Sequence, residues 1–247
     1  MPLLAFDTSC DRMSVAVGAV RNGAPQVWSH EGAGGAQASA SLIPRIRALM
    51  AQAGLDFADL DAIVFGRGPG AFTGLRTACA VAQGLAFGAR AATGGAPLPV
   101  LPLDTLLVVA EQARWAHAPQ QAPWAVLAML DARMDEIYRG SYLWDGASWH
   151  TVQAPALARP QDLHADAGQA MAGNVFEVYG ERLPADPGQA RIPALPSAIA
   201  MLRLAPALLA SGQGVDPALA LPMYIRDKVA STSSERAAAK AAAANPP

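Results

Sequence analysis

Residues 61–88 read DAIVFGRGPGAFTGLRTACAVAQGLAFG and combine a short apolar run, a glycine-rich turn and a run of small residues. The apolar residues 62–65 predict a strand. The turn that follows consists of residues that favour unusual backbone angles, namely Gly66, Gly68, Pro69 and Gly70. Thr73 can then cap a helix through its side-chain oxygen, and this helix is predicted over residues 74–87. The stretch therefore predicts one unit of strand, glycine loop and helix.

The predicted helix has a small residue at every fourth position, and these residues are Gly74, Ala78, Ala82 and Ala86. Glycines inside a helix cost roughly 1 kcal/mol each relative to alanine, so this helix is expected to let another backbone approach closely. Soluble oligomers are most often two-fold dimers that use one self-complementary patch. We therefore predict a partner interface formed by Leu42, Ile46, Leu75, Ala78 and Ala82. The alternative, that the same stripe packs against the chain's own sheet, stays open.

The composition indicates a folded protein with a substantial core. Of 247 residues, 52% are hydrophobic and 15% are charged, which suits one large domain or two smaller ones. We find no membrane span and no signal peptide in the sequence. Two cysteines, Cys10 and Cys79, form no disulfide framework, so a reducing cytoplasm is the expected location. The net charge of −2 predicts weak stand-alone binding to RNA, because neutralised phosphates supply most non-specific affinity.

The order of the predicted elements repeats along the chain. Hydrophobic periodicity predicts the order βββαβαβα, and a second series of strands and helices then follows. Both series begin with an apolar strand that ends in an aspartate, Asp7 in the first and Asp131 in the second. The alternation predicts an α/β fold with mixed sheets flanked by helices. We expect two subdomains, over residues 1–104 and 105–229, and a low-complexity tail over 230–247.

The sequence also predicts where individual helices begin. An amphipathic helix is expected over residues 42–53, with Ser39 or Ser41 as its cap. Pro44 is tolerable only in the first turn of that helix, because proline has no N–H to donate. A short helix is expected over residues 160–167.

Two series of this kind resemble the duplicated architecture of actin, the sugar kinases and Hsp70. In that superfamily two hairpins grip the phosphates of ATP, and an aspartate helps to hold Mg²⁺. Phosphate binding of this kind needs backbone N–H groups, which usually requires glycines in the turns. The corresponding turns here lack glycine, and their candidates for vestigial nucleotide loops are Asp7, Thr8, Ser9, Asp131 and Arg133. The other interpretation is that each aspartate only caps its turn.

Common catalytic motifs are missing from the sequence. The pattern Gly66-x-Gly68-x-x-Ala71 has the form of a dinucleotide fingerprint, but no acidic strand end follows about 20 residues later. The Gly-Lys-Ser/Thr of a Walker A loop and a Gly-x-Ser-x-Gly elbow do not occur. The histidines are far apart, so no catalytic residue and no metal site are predicted. For the glycine loop, a tight turn and a loop that contacts a ligand or partner remain equally open.

Four pieces of the sequence together resemble the TsaB (YeaZ) family. The most specific piece is FGRGPGAFTGLR over residues 65–76, and the others are FDTS over 6–9, DARM over 131–134 and LPMYIR over 221–226. The resemblance thereby defines a signature loop, with the residues Gly66, Arg67, Gly68, Pro69, Gly70, Thr73, Gly74 and Arg76.

The resemblance implies the duplicated actin-like fold and a supporting role in tRNA modification. It implies a non-catalytic dimerisation and activating subunit that pairs with a TsaD-like catalytic paralogue and is served by a TsaE-like ATPase. That complex transfers threonylcarbamoyl to the adenosine 3′ of the anticodon in tRNAs reading ANN codons. The chain is expected to meet tRNA only through the complex. The small-residue helix leaves open whether the isolated chain is a monomer or a homodimer.

The resemblance also implies where the catalytic chemistry lies. TsaD has a metal-binding His-x-x-x-His, and the positions that align with it here are Thr105 and Val109, which cannot replace histidine as ligands. ATP or ADP and metal are therefore expected on the partner subunits, and no cofactor is expected to bind tightly to this chain. A histidine that the family often has before the first helix is replaced here by Gln-Ala-Ser-Ala over residues 37–40.

Two alternatives to the scaffold role are an ATP-dependent small-molecule kinase of the same fold and a glycoprotease-like peptidase. A kinase should bind Mg-ATP alone and turn it over. The peptidase is disfavoured because the sequence shows no nucleophile-base pair and no metal set.

Overall fold

The computed structural model describes residues 1–91, 94–183 and 188–226, so the predicted tail over 230–247 lies outside the described residues. The first series comprises β1 (Leu3–Asp7), β2 (Arg12–Arg21), β3 (Ala24–Ala33), α1 (Ala36–Ala53), β4 (Ala62–Gly68), α2 (Phe72–Gly88), β5 (Val100–Asp104) and α3 (Thr105–His117). The second series comprises β6 (Trp124–Arg133), β7 (Glu136–Trp144), β8 (Trp149–Ala158), β9 (Ala170–Gly173), α4 (Phe176–Tyr179), β10 (Arg191–Pro193) and α5 (Ala198–Ala210). No helix in these ranges is both long and apolar enough to cross a bilayer.

Two five-stranded mixed sheets share one arrangement of strands. The first has the order β3-β2-β1-β4-β5, and the second, read from its opposite edge, has the order β8-β7-β6-β9-β10. In each sheet the first three strands form antiparallel hairpins, and the last two run parallel to the first strand. The duplication inferred from the order of elements is therefore confirmed, as is the α/β class.

The second series has less helix than the first. Where α1 joins β3 to β4, only a 3-10 turn, Pro160–Asp162, is found between β8 and β9. The predicted helix over residues 160–167 is therefore wrong. The turn ends at Leu163, which has extended backbone angles and a side chain buried in the core behind the second sheet. Burial of Leu163 thus draws the chain out of a helical path.

α1 begins earlier than its sequence indicates. Its N-cap is Gly35, whose φ of 59° suits glycine, so Ser39 and Ser41 lie inside the helix and do not cap it. Pro44 also lies well inside the helix rather than in its first turn. The helix tolerates Pro44 because Pro44 and Ala40 are exposed, so water can reach the carbonyl of Ala40 that the missing N–H leaves free.

α2 also begins before its predicted cap. Its N-cap is Ala71, which makes no side-chain capping bond, and Thr73 lies inside the first turn. The carbonyl of Thr73 accepts a hydrogen bond from Thr77 Oγ1 at 3.0 Å. The capping role predicted for Thr73 is therefore wrong, because β4 continues to Gly68 and the remaining turn is too short to place Thr73 outside the helix.

α5 returns to the first sheet although it follows the second one in sequence. Met201 and Leu204 of α5 pack in one core with Val64 of β4, and the Ala198 N–H donates to Ser14 Oγ of β2 at 2.9 Å. The division at residues 104 and 105 stays a prediction, and α5 shows that the halves are not consecutive parts of the chain. We call the first sheet with α1, α2 and α5 the first half, and the second sheet with α4 the second half. α3 contributes side chains to the cores of both halves.

Candidate functional site

The four motif pieces noted in the sequence meet at the mouth of the cleft between the halves. A cavity of about 230 Å³ lies there, and each piece contributes to its lining, with Ser9, Ala71, Arg133 and Tyr224 as examples. The C-terminal ends of β1 and β6 lie beside it. In sheets with parallel strands, ligands bind most often at this edge. The cavity is therefore the candidate site.

Asp7 ends β1, but its carboxylate is fully buried and does not line the cavity. Oδ1 accepts hydrogen bonds from the Ser9 N–H at 2.8 Å and from Ser9 Oγ at 2.6 Å. Oδ2 has no hydrogen-bond partner among the described residues. Burial raises the pKa of the Asp7 carboxyl, and the two bonds from Ser9 only partly oppose this. The space beside Oδ2 exists only because Gly66 has no side chain, since a Cβ there would lie 1.8 Å from Oδ2.

The glycine loop packs directly on the backbone of the first turn. Thr8 Oγ1 donates to the carbonyl of Gly74 at 2.7 Å, and a Cβ on Gly74 would lie 1.9 Å from the Thr8 carbonyl oxygen. The Ala71 N–H donates to the Ser9 carbonyl at 2.7 Å, and a Cβ on Gly70 would lie 2.4 Å from that oxygen. These approaches account for both glycines and support the interpretation of a tight turn.

The middle of the glycine loop contacts two distant parts of the chain. The Gly68 N–H donates to Thr105 Oγ1 at 3.2 Å, and the Arg67 carbonyl accepts from the Met223 N–H at 2.7 Å. Gly68 has a φ of 119°, which strongly favours glycine. Thr105 is therefore an acceptor for the loop, while Val109, the other position aligned with the paralogue's metal ligands, is fully buried in the core.

The second turn is held by side chains rather than by glycines. Arg133, Met134 and Asp135 have φ values of 60°, 56° and 62°, a left-handed conformation that costs roughly 1–2 kcal/mol per non-glycine residue. Asp131 Oδ1 accepts from the Arg133 N–H at 2.9 Å and from the Tyr179 hydroxyl at 2.8 Å. The guanidinium of Arg133 is 3.0 Å from Asp131 Oδ2. Asp131 therefore caps and stabilises its own turn.

The actin-like fold would imply a nucleotide with Mg²⁺ at this site, but the carboxylates here are not placed to bind the metal ion. Asp7 faces the interior, and both oxygens of Asp131 are engaged by neighbouring side chains. Among the described residues no three His, Cys, Asp or Glu side chains lie close enough together to hold a metal ion.

Cys10 lines the cavity, but burial and the Asp7 carboxylate raise the pKa of its thiol to about 12, which disfavours the nucleophilic thiolate.

The five side chains predicted as a partner interface lie inside the chain's own core. Each is at most 1% exposed, and they are Leu42, Ile46, Leu75, Ala78 and Ala82. All except Leu75 belong to the core between the first sheet and its helices. This corrects which side chains could meet a partner, because these already pack within the chain. The use of α1 and α2 in an interface stays a prediction for the outer faces of the two helices.

Arg76 of the signature loop belongs to a cluster that the sequence did not reveal. Its guanidinium lies 3.9 Å from the ring centre of Phe72, and its Nε donates to the Tyr224 hydroxyl at 3.1 Å. The rings of Phe72 and Tyr224 are 5.2 Å apart. Tyr224 occurs in the last motif piece, 148 residues after Arg76, so the only signal in the sequence was that both residues lie in motifs.

Two sheets of matched order, with a cleft between them and a hairpin turn from each at its mouth, define a protein of the duplicated actin-like class. A family model described as TsaD: tRNA N6-adenosine threonylcarbamoyltransferase matches residues 31–241. The "tRNA threonylcarbamoyladenosine biosynthesis protein TsaB" of Escherichia coli K12 is 31% identical over 240 residues, which cover 93% of this chain and 96% of that protein. The protein of the same name in Haemophilus influenzae is 30% identical over 202 residues, 76% of this chain and 79% of its own length.

Solved structures give the same result. The structure described as YeaZ from Pseudomonas aeruginosa is 36% identical, with a TM-score of 0.76, and the match covers 90% of this chain and 99% of that one. This chain belongs to the TsaB (YeaZ) family. The resemblance seen in the four motif pieces is thus confirmed.

Proposed function

We propose that this chain is a non-catalytic subunit of the complex that makes threonylcarbamoyladenosine in tRNA, and that it works in the cytoplasm. The observation that carries the proposal is the match over 93% of the chain to a protein named for threonylcarbamoyladenosine biosynthesis. The reaction is the transfer of threonylcarbamoyl to the adenosine 3′ of the anticodon in tRNAs reading ANN codons. The four family motifs meeting at one cleft support the proposal, because their contacts hold the architecture of this chain together and do not assemble a set of reactive groups.

Catalysis is assigned to a TsaD-like paralogue, and ATP hydrolysis to a TsaE-like ATPase. Three features of the described residues support this assignment. Thr105 and Val109 are buried, and Thr105 bonds to the glycine loop. Asp7 is buried away from the cleft, and the carboxylate of Asp131 is occupied by hydrogen bonds that stabilise its own turn. A tightly bound nucleotide or metal on this chain is not part of the proposal. Contact with tRNA occurs through the complex, since the net charge of −2 offers little attraction to phosphate.

The outer faces of α1 and α2 are the proposed partner surface. Ile43 of α1 and Phe87 of α2 are 45% and 47% exposed, so each helix presents a large apolar side chain on its outer face. Ala80 and Gly84 are exposed in the interior of α2, and a Cβ on Gly84 would meet nothing within 4 Å. A partner helix can therefore approach α2 closely. The proposed occupant is the TsaD-like paralogue, and a second copy of this chain takes the same place when the chain is isolated.

The proposal is tested by measuring threonylcarbamoyladenosine in tRNA by mass spectrometry. Depletion of the chain from its native cell should lower the modification, and the parental chain should restore it. Ala80→Arg should yield a folded chain that neither binds the paralogue nor restores modification, while Ala154→Arg, the same substitution at an exposed position of β8 in the second half, is the matched control and should do both. An unchanged level of modification after depletion would refute the subunit role. Tight binding and turnover of Mg-ATP by the isolated chain would favour the kinase instead.

A further inference from the structure

Residues 221–226, here called the C-terminal strap, run from the core of one half to the core of the other. Ala220, immediately before the strap, is fully buried in the core of the first half. Ile225 packs against the core of the second half, which includes Leu130 and Tyr138. Within six residues the chain therefore crosses the mouth of the cleft and contacts both cores.

The strap is attached to the first half by backbone and aromatic contacts. The Met223 N–H donates to the Arg67 carbonyl at 2.7 Å. A Cβ on Gly68 would lie 2.7 Å from the Met223 carbonyl oxygen, so the strap packs so closely on Gly68 that no side chain fits between them. Tyr224 adds its contacts with Arg76 and with the ring of Phe72. These contacts hold the strap against β4 and α2.

Arg226 attaches the strap to the second half. Its guanidinium forms an ion pair with Glu136, and Nη2 also donates to the Arg133 carbonyl at 3.3 Å. The side chain of Arg226 is only 16% exposed, so the pair is shielded from water more than most surface ion pairs. Arg133 in turn forms an ion pair with Asp11 of the first half. That second pair is largely exposed, so it holds the halves together only weakly.

The position of the strap matters because of how the chain otherwise joins the halves. α3 contributes to both cores, and residues 194–197 lead from β10 back to α5. Chain connections of this kind can act as hinges between two rigid bodies. A third join, placed at the mouth of the cleft and packed on both cores, opposes rotation about such hinges.

We propose that the C-terminal strap is a clamp that holds the two halves at one angle and keeps the cleft from opening. The chain would then present its surfaces to a partner as one rigid body, whatever that partner is. The inference rests on the contacts of the strap and does not depend on the proposed function.

The test uses the full chain with Arg226→Gln and, from the other side of the same ion pair, Glu136→Gln. The matched control is Arg182→Gln. Arg182 pairs at 2.6 Å with Asp135, which is next to Glu136 in the chain, but both partners of this pair belong to the second half. Spin labels on cysteines introduced at the exposed Gln52 and Thr151, with Cys10 and Cys79 replaced by alanine, report the distance between the halves.

A narrow distance distribution is expected for the parent and the control, and a broader one that extends to longer distances for both variants of the pair. Hydrogen exchange of the Met223 amide should also accelerate about tenfold in these two variants, because a charge-assisted bond holds the strap closed. Parental distributions in Arg226→Gln and Glu136→Gln would overturn the proposal. So would equal broadening in the control, which would show a general loosening of the turn.

Discussion

The Oδ2 atom of Asp7 lies so close to Gly66 that a Cβ at Gly66 would be 1.8 Å from it. Oδ1 is held by Ser9, so the carboxylate cannot turn away without losing two hydrogen bonds. Gly66→Ala is therefore expected to lower the free energy of unfolding by about 1–3 kcal/mol through overpacking. The measurement is urea denaturation. Gly84→Ala is the control, since nothing lies within 4 Å and alanine favours helix, and equal midpoints for both variants would contradict the prediction.

The buried Asp7 predicts a specific dependence of stability on pH. Because burial raises the pKa of Asp7 above its usual 3.8, the folded chain binds this proton more tightly than the unfolded chain. The contribution of Asp7 to stability is therefore most favourable below pH 3.8 and falls as pH rises towards the pKa in the folded state. Asn cannot titrate, so the stability of Asp7→Asn relative to the parent should improve as pH rises from about 4 to 7. A difference that is constant with pH would show that the pKa of Asp7 is not raised.

The two faces of α2 predict opposite outcomes for one substitution. Ala82 is fully buried in the first core, so Ala82→Arg should unfold the chain or leave it molten. Ala80 is exposed on the proposed partner face, so Ala80→Arg should give a parental circular dichroism spectrum and a loss of self-association. Circular dichroism and size-exclusion chromatography distinguish the two. A folded Ala82→Arg, or an Ala80→Arg that still pairs, would mean that the faces have been assigned wrongly.

Glu111 is the centre of a buried charged network between α3 and α5. Its carboxylate is 3.0 Å from Arg114 Nε, 2.9 Å from Arg203 Nε and 3.1 Å from Trp149 Nε1. Glu111→Ala leaves two guanidinium groups without their shared partner, and should lower the free energy of unfolding by about 3–5 kcal/mol. Glu31→Ala removes an exposed ion pair and should change it by less than about 1 kcal/mol. Similar losses in thermal denaturation would argue against the network.

The charge of the chain predicts weak binding to tRNA in the absence of partners. With a net charge of −2, few phosphates can be neutralised, so affinity should be low and without sequence preference. A gel shift near physiological salt, with bovine serum albumin as an acidic control protein, measures this. Submicromolar binding by the isolated chain would contradict the prediction.

The sequence was sufficient where local patterns determine structure. Apolar runs that end in Asp7 and Asp131 predicted the first strand of each sheet, and their repeat predicted the duplicated topology. Each of these runs is short, apolar and followed by a turn signal, which favours a strand over a helix. The four motif pieces identified the family, but their meeting at one cavity is seen only in the structure.

The sequence could not predict which side chains are buried and which distant residues bond, because tertiary contacts determine both. α2 has small residues on nearly every side, so its periodicity could not show that Ala78 and Ala82 face the core and Ala80 faces solvent. Similarly, nothing local indicates that Thr105 accepts a bond from Gly68, which lies 37 residues away. The helix expected over residues 160–167 failed because burial of Leu163 outweighed local propensity.

The position of α5 has a consequence for biosynthesis. One face of the first sheet is covered by Ala198 and Met201, which pack with Leu3, Ala5 and Val64. A ribosome adds roughly 5–20 residues per second, so this N-terminal sheet is made many seconds before its cover. Until α5 leaves the exit tunnel, an apolar face of the nascent sheet stays uncovered and open to chaperones. The first half to be synthesised is thus among the last parts of the chain to complete its folding.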